Sequence, residues 1–191
     1  DQIAIIGWWI DQGAPMDQTV AETEVPDDIR QILENQIGPM DEGAQGVFAL
    51  QVPAADPSAI QSLAGRNGRA LPIAQEQNLL QVSFAKDSTP FANSDMKLLS
   101  SLSEQVTWLD LRNTSISDFS TLSELSNLSR LHLEQSAVQD NDLSHLSGLQ
   151  HLEYLNLYGT EISDAGLTHL EGLSNLKTLY LWQSKVTKEA A

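Results

Sequence analysis

Four clusters in the sequence carry residue types that can do chemistry. His145 and His169 are imidazoles that a metal ion could bridge. "DND" at Asp140 to Asp142 opens like a calcium loop. Asp110 and Glu134 form a carboxylate pair of the glycoside-hydrolysing sort, and "GRNG" from Gly65 carries the glycines of a phosphate cradle. The surrounding sequence argues against each. The two histidines occupy the same slot of successive repeats, 24 residues apart, which reads as a solvated outer face. No Gly or closing Glu completes the calcium pattern, and "GRNG" lacks the following Lys, so it reads as a turn. Facing carboxylates on a repeat surface read as solvated. H-E-x-x-H and G-x-S-x-G do not occur, and the absence of Cys removes thiolate catalysis, Cys-ligated zinc and disulfides. The expectation is a chain without catalytic residues or a metal site, and not an enzyme.

A second set of side chains suits recognition rather than reaction. Outward strand positions are predicted at Trp108, Asp110 and Arg112, at Arg130, His132 and Glu134, at Tyr154, Asn156 and Tyr158, and at Thr178, Tyr180 and Trp182. Five of the seven Trp and Tyr residues fall among these twelve, more than strand propensity alone asks for. Side chains on adjacent strands lie about 5–7 Å apart, so Tyr154, Tyr158, Tyr180 and Trp182 are expected to form one aromatic patch with a polar rim. Such a patch suits a protein partner, with a glycan as the alternative and a structural spacer as the rival reading.

The elements that must position these residues form a repeat. "VTWLDLRNTSI" from Val106, "LSRLHLEQSAV" from Leu128, "LEYLNLYGTEI" from Leu152 and "LKTLYLWQSKV" from Leu176 align at offsets of 22, 24 and 24 residues. Leu109/Leu111, Leu131/Leu133, Leu155/Leu157 and Leu179/Leu181 alternate with polar or aromatic residues and are expected to point inward. Between them leucines recur every three residues, the spacing of short helices or 3₁₀ segments. Thr114, Ser136, Thr160 and Ser184 share one slot, where a buried hydroxyl can bond turn backbone. Asp118, Asp140 and Asp164 are expected to N-cap the segments that follow. The L-x-x-L-x-L pattern resembles the leucine-rich repeat, and "ISDAGLTHL" resembles a bacterial subclass of it. The resemblance implies an α/β leucine-rich-repeat solenoid, with a short curved parallel sheet and short helices on the convex side.

Upstream, Leu79, Val82 and Phe84 repeat the spacing of Val106, Leu109 and Leu111 as a degenerate first repeat, with "IQSLAGRNGRALPIA" covering its edge through turns at Gly65 and Gly68. "VPDDIRQILENQIG" reads as an amphipathic helix. The expected organisation is a helical or irregular acidic segment and linker over 1–44, a cap and first repeat over 45–100, and repeats over 101–191. The chain has 191 residues, with 26 acidic against 10 basic for a net charge of −16, and residues 1–56 alone hold eleven acids and one base. That balance excludes nucleic acid and argues against anionic membrane surfaces. No stretch approaches the roughly 20 apolar residues of a membrane span, and no targeting signal is present. Lys177, Lys185 and Lys188 flank the last strand and are expected to discourage edge pairing, leaving a monomer.

"IAIIGWWIDQGAP", with Trp8 and Trp9, resembles the last helix of the c-type cytochrome domain that precedes leucine-rich repeats in envelope proteins of planctomycetes and other environmental bacteria. "LYLWQ" near the other end resembles their closing strand. The alternative for the opening stretch is an amphipathic helix packed on the repeat cap. The resemblance implies a periplasmic or cell-envelope setting and a longer parent protein carrying haem c, with these repeats as a docking surface for electron transfer. This chain has no C-x-x-C-H and so no covalent haem of its own.

Overall fold

The computed structural model describes residues 26, 46–74, 77–84, 91–112 and 114–189. The chain divides into two compact units, Asp1–Gln45 and Gly46–Ala191. The Trp8–Trp9 stretch and, Pro26 apart, the helix expected from Val25 lie outside the described residues.

The second unit is built on one sheet of six strands in chain order: β1 (Gly68–Pro72), β2 (Leu80–Phe84), β3 (Val106–Asp110), β4 (Arg130–His132), β5 (Tyr154–Asn156) and β6 (Thr178–Tyr180). β1 and β2 pair antiparallel, Gly68 opposite Phe84, and all later pairs are parallel. Leu109 stands opposite Leu131, Leu131 opposite Leu155, and Leu155 opposite Leu179. A slip of one residue would turn every leucine outward, so the apolar pattern fixes the register. Val82 joins the same file opposite Leu109, as the first-repeat alignment expects, after a shift between Leu80 and Gln81.

Three helices and several 3₁₀ segments face the inner side of the sheet. They include α1 (Pro57–Ala64), α2 (Lys97–Ser100), α3 (Asp164–Leu167), and 3₁₀ turns at Ser120–Glu124, Asp140–Leu146 and Thr168–Leu170. Their leucines meet Leu109, Leu131, Leu155 and the following Leu111, Leu133 and Leu157 in one continuous core, all six at 1% exposure or less. No repeat closes its core alone, so the stack does it collectively. α1 starts on Pro57 with Asp56 as its cap, the carboxylate accepting from Ser58 N at 2.8 Å. The segment before it is tied to the repeats through side-chain amides: Gln77 donates to Phe48 O at 3.0 Å, Asn78 to Val52 O at 2.9 Å and Gln105 to Pro53 O at 3.0 Å.

Two sequence expectations are corrected. Gly65 lies in the α1–β1 turn as expected, where Asn67 takes left-handed backbone (φ 58°), but Gly68 opens β1. Gly68 is required by close packing instead, since a Cβ there would stand 2.6 Å from Leu63 Cγ and 2.9 Å from Phe84 Cε1. Asp140 and Asp164 do not cap their own helices. Asp140 accepts from Ser163 N at 2.7 Å and Ser163 Oγ at 2.6 Å, and Asp164 accepts from Thr187 N at 2.7 Å and Thr187 Oγ1 at 2.8 Å, each reaching one repeat ahead. Asn93, in the equivalent slot upstream, also reaches ahead: its Oδ1 accepts from Ser117 N and Asp118 N, and its Nδ2 donates to Ser117 Oγ. Asp118 alone serves its own turn, accepting from Ser120 N and Oγ. Its counterpart ahead would be Gln139, whose N–H is already given to Asp142 at 2.8 Å. Lys177 and Lys185 each pair back to the preceding repeat, with Glu153 and Glu161 respectively.

Candidate binding face

The register sorts the outward residues into rows that run across the strands. Trp108, Arg130, Tyr154 and Thr178 form the first row, and Asp110, His132, Asn156 and Tyr180 the second. Arg112, Glu134, Tyr158 and Trp182 follow two residues later, just past the strands.

Contacts along these rows fall into groups of differing chemistry. Asp110 takes a forked grip from Arg112: Nε stands 2.9 and 3.0 Å from its two oxygens, Nη2 2.6 Å from Oδ2, and the Arg112 backbone N–H donates at 3.0 Å. Burial is the largest single influence on the Asp110 carboxyl and pushes it up. The Arg112 hydrogen bonds and charge together outweigh it and leave the group below its ordinary range. The same hydrogen bonds push the Arg112 guanidinium up. Glu134 Oε1 lies 2.8 Å from His132 Nδ1 and accepts from Asn156 Nδ2, also at 2.8 Å. Asn156 Oδ1 in turn fixes the Tyr158 N–H at 3.0 Å. Glu134 Oε2 and Trp108 Nε1 are buried without a partner among the described residues.

The aromatic rings make two files rather than the single patch expected. His132, Tyr154 and Tyr180 follow one another with centroids 4.9 and 5.6 Å apart, while Tyr158 and Trp182 pair separately at 5.7 Å. Along β5 Asn156 stands between Tyr154 and Tyr158, hydrogen-bonded to the Tyr154 hydroxyl at 3.3 Å and to the Tyr158 N–H. Trp108 has other partners: Phe48 meets it edge-on at 6.4 Å, and the Arg130 guanidinium sits 4.7 Å from its ring centroid. Beside that pair is a hollow of about 200 Å³ lined by Gln81, Trp108, Leu109, Asp110, Arg112, Arg130 and His132. Gln81 and Phe48 are absent from the sequence-predicted face. Gln81 follows from extending the outward pattern to β2, whereas nothing periodic marks Phe48.

Among the described residues no group of three or more His, Asp or Glu could hold a metal ion, and no helix is long and apolar enough to cross a membrane. No family model matches the chain, and no curated protein matches it. Among solved structures it is similar to internalin C2 of Listeria monocytogenes at 34% identity over 48% of this chain and 38% of that one, with a TM-score of 0.43. A second internalin of the same organism is similar at 27% identity over 42% and 30%, with a TM-score of 0.33. The chain thus spans well under half the length of either. Its own geometry, a parallel register that advances one leucine file from Leu109 to Leu131, Leu155 and Leu179 with short helices behind it, is of the α/β leucine-rich-repeat type.

Proposed function

We propose that the repeat solenoid is a non-catalytic protein-binding module and that the outward residues from Trp108 to Trp182 are its binding surface. The observation that carries this reading is the exposure of rings that could have been buried. Trp182 is 72% and Tyr180 49% exposed, while Leu131, Leu133, Leu155 and Leu157 of the preceding repeats are inaccessible. Exposed indole and phenol faces, held in files by their neighbours, are the anchors that a partner covers with gain. Asp110 and Glu134 are engaged by neighbouring side chains, which suits a preformed docking surface better than a reaction centre. The module acts as a monomer, and the cytochrome-domain resemblance puts its partner in the periplasm or cell envelope.

The test is capture of binding proteins from a bacterial envelope extract by the wild-type chain and by the Tyr158→Ser, Trp182→Ser double variant, with a glycan array in parallel. Loss of capture with an unchanged melting temperature supports the reading, each anchor contributing about 1–4 kcal/mol. Undiminished capture overturns it, and binding on the glycan array alone replaces protein by carbohydrate.

A further inference from the structure

Among the described residues of the outward face, every charged side chain but one has a hydrogen-bonding partner within the chain. Asp110 spends both oxygens on Arg112, and Glu134 takes His132 and Asn156. Arg130 differs. Its guanidinium rests over the Trp108 ring, and among the described residues its side chain makes no ion pair and donates no hydrogen bond. The ring holds the cation in place without supplying a counter-charge, so the donors of the fork remain unused. That fork borders the hollow of about 200 Å³ beside Trp108 and His132.

We infer that this hollow seats the carboxylate of an acidic side chain, Asp or Glu, presented by the bound protein. The inference rests on reading the face as a protein-binding surface. A guanidinium accepts a planar carboxylate through two parallel N–H donors, and one already positioned gives up little freedom in doing so. The seat takes a single carboxylate: Asp110 and Glu134 stand close by, and a net charge of −16 repels a polyanion. A side chain fits better than a chain terminus because the rows of the sheet continue past the hollow to Tyr154 and Tyr180, so a segment lying across the strands passes over Arg130.

The experiment follows the Trp108 indole and Arg130 Nε resonances of the full chain during titration with the tripeptide Gly-Glu-Gly blocked at both ends. Gly-Gln-Gly, equally blocked, is the neutral control, and Gly-Gly-Gly with a free carboxyl terminus is the other carboxylate source. Saturating shifts are expected with the Glu peptide, about fivefold weaker binding with the Gln peptide, and loss of binding in Arg130→Gln. Arg130→Lys, which keeps the charge but not the fork, should bind about threefold more weakly than wild type and serves if Arg130→Gln fails to fold. Equal binding of the Glu and Gln peptides, no saturation, or full binding by the folded variants overturns the inference, and tighter binding of the free terminus overturns the side-chain assignment. If the Glu peptide fails while the Tyr158, Trp182 double variant still loses its partners, only the carboxylate seat falls. If the peptide binds while that variant keeps full capture, the seat stands and the aromatic face does not.

Discussion

At the turn after each strand a hydroxyl is asked to do one job, and three of four do it. Thr114 Oγ1 donates to Leu111 O and Thr160 Oγ1 to Leu157 O, both at 2.7 Å, and Ser184 Oγ donates to Leu181 O at 2.5 Å. Ser136 Oγ is buried with no partner among the described residues. A buried hydroxyl that loses water without gaining a bond is a cost, whereas a bonded one repays it. Thr160→Ala should therefore lower stability by about 1–2 kcal/mol, while Ser136→Ala should leave it unchanged or raise it. Urea midpoints of the two variants decide the matter, and equal losses would remove the distinction. The slot itself was legible because a hydroxyl recurs every repeat. The residue before it was not: Gln135, Gly159 and Gln183 all take left-handed backbone, with φ of 55°, 66° and 57°. Glutamine carries no signal for that conformation, so a demand imposed by stacked turns was invisible at two of these three positions.

Between repeats, the short elements are joined less by their own caps than by carboxylates that reach forward. Asp140 receives both the N–H and the O–H of Ser163, and these bonds, the hydroxyl first, hold its carboxyl below the ordinary range. Gly166 completes the joint, since a Cβ there would stand 2.6 Å from Asp140 Oδ1. The "ISDAGL" pattern is thus legible as a motif, but its Asp and its Gly serve different neighbours from those that local capping rules suggest. A depressed carboxyl contributes stability that is present above the unfolded value, about pH 4, and is lost as pH falls through the lower folded value. Ser163→Ala removes the leading cause of the shift. The variant should be less stable than wild type at neutral pH, and the deficit should shrink as pH falls below about 4 and through the lowered folded value of Asp140. A deficit of the same size throughout that range, read from urea melts, would show that the bond matters only as packing.

Over the molecule as a whole, stability is a property of the stack. The period, the inward leucines and the parallel order were readable because each repeat restates them. The buttress from Phe48 to Pro53 was not, because it is held by single amide-to-carbonyl bonds from Gln77, Asn78 and Gln105 that no pattern announces. The end of the stack shows what neighbours supply. Leu155 and Leu157 in β5 and its turn are fully buried between flanking repeats, whereas their counterparts Leu179 and Leu181 remain half-buried, with β6 pairing only with β5 among the described residues. Truncating a leucine costs the transfer energy of the lost atoms plus the energy of the cavity that remains, and a partly exposed side chain pays less of the first and little of the second. Leu157→Ala should therefore cost roughly 2–5 kcal/mol and Leu181→Ala less than half of what Leu157→Ala does. Both variants keep the same backbone and the same chemistry of change, so the enclosure of the side chain separates them. Chemical denaturation of the two chains measures the difference. Equal losses would mean that the last repeat is as well enclosed as the middle one, and that stability does not accumulate repeat by repeat along the sheet.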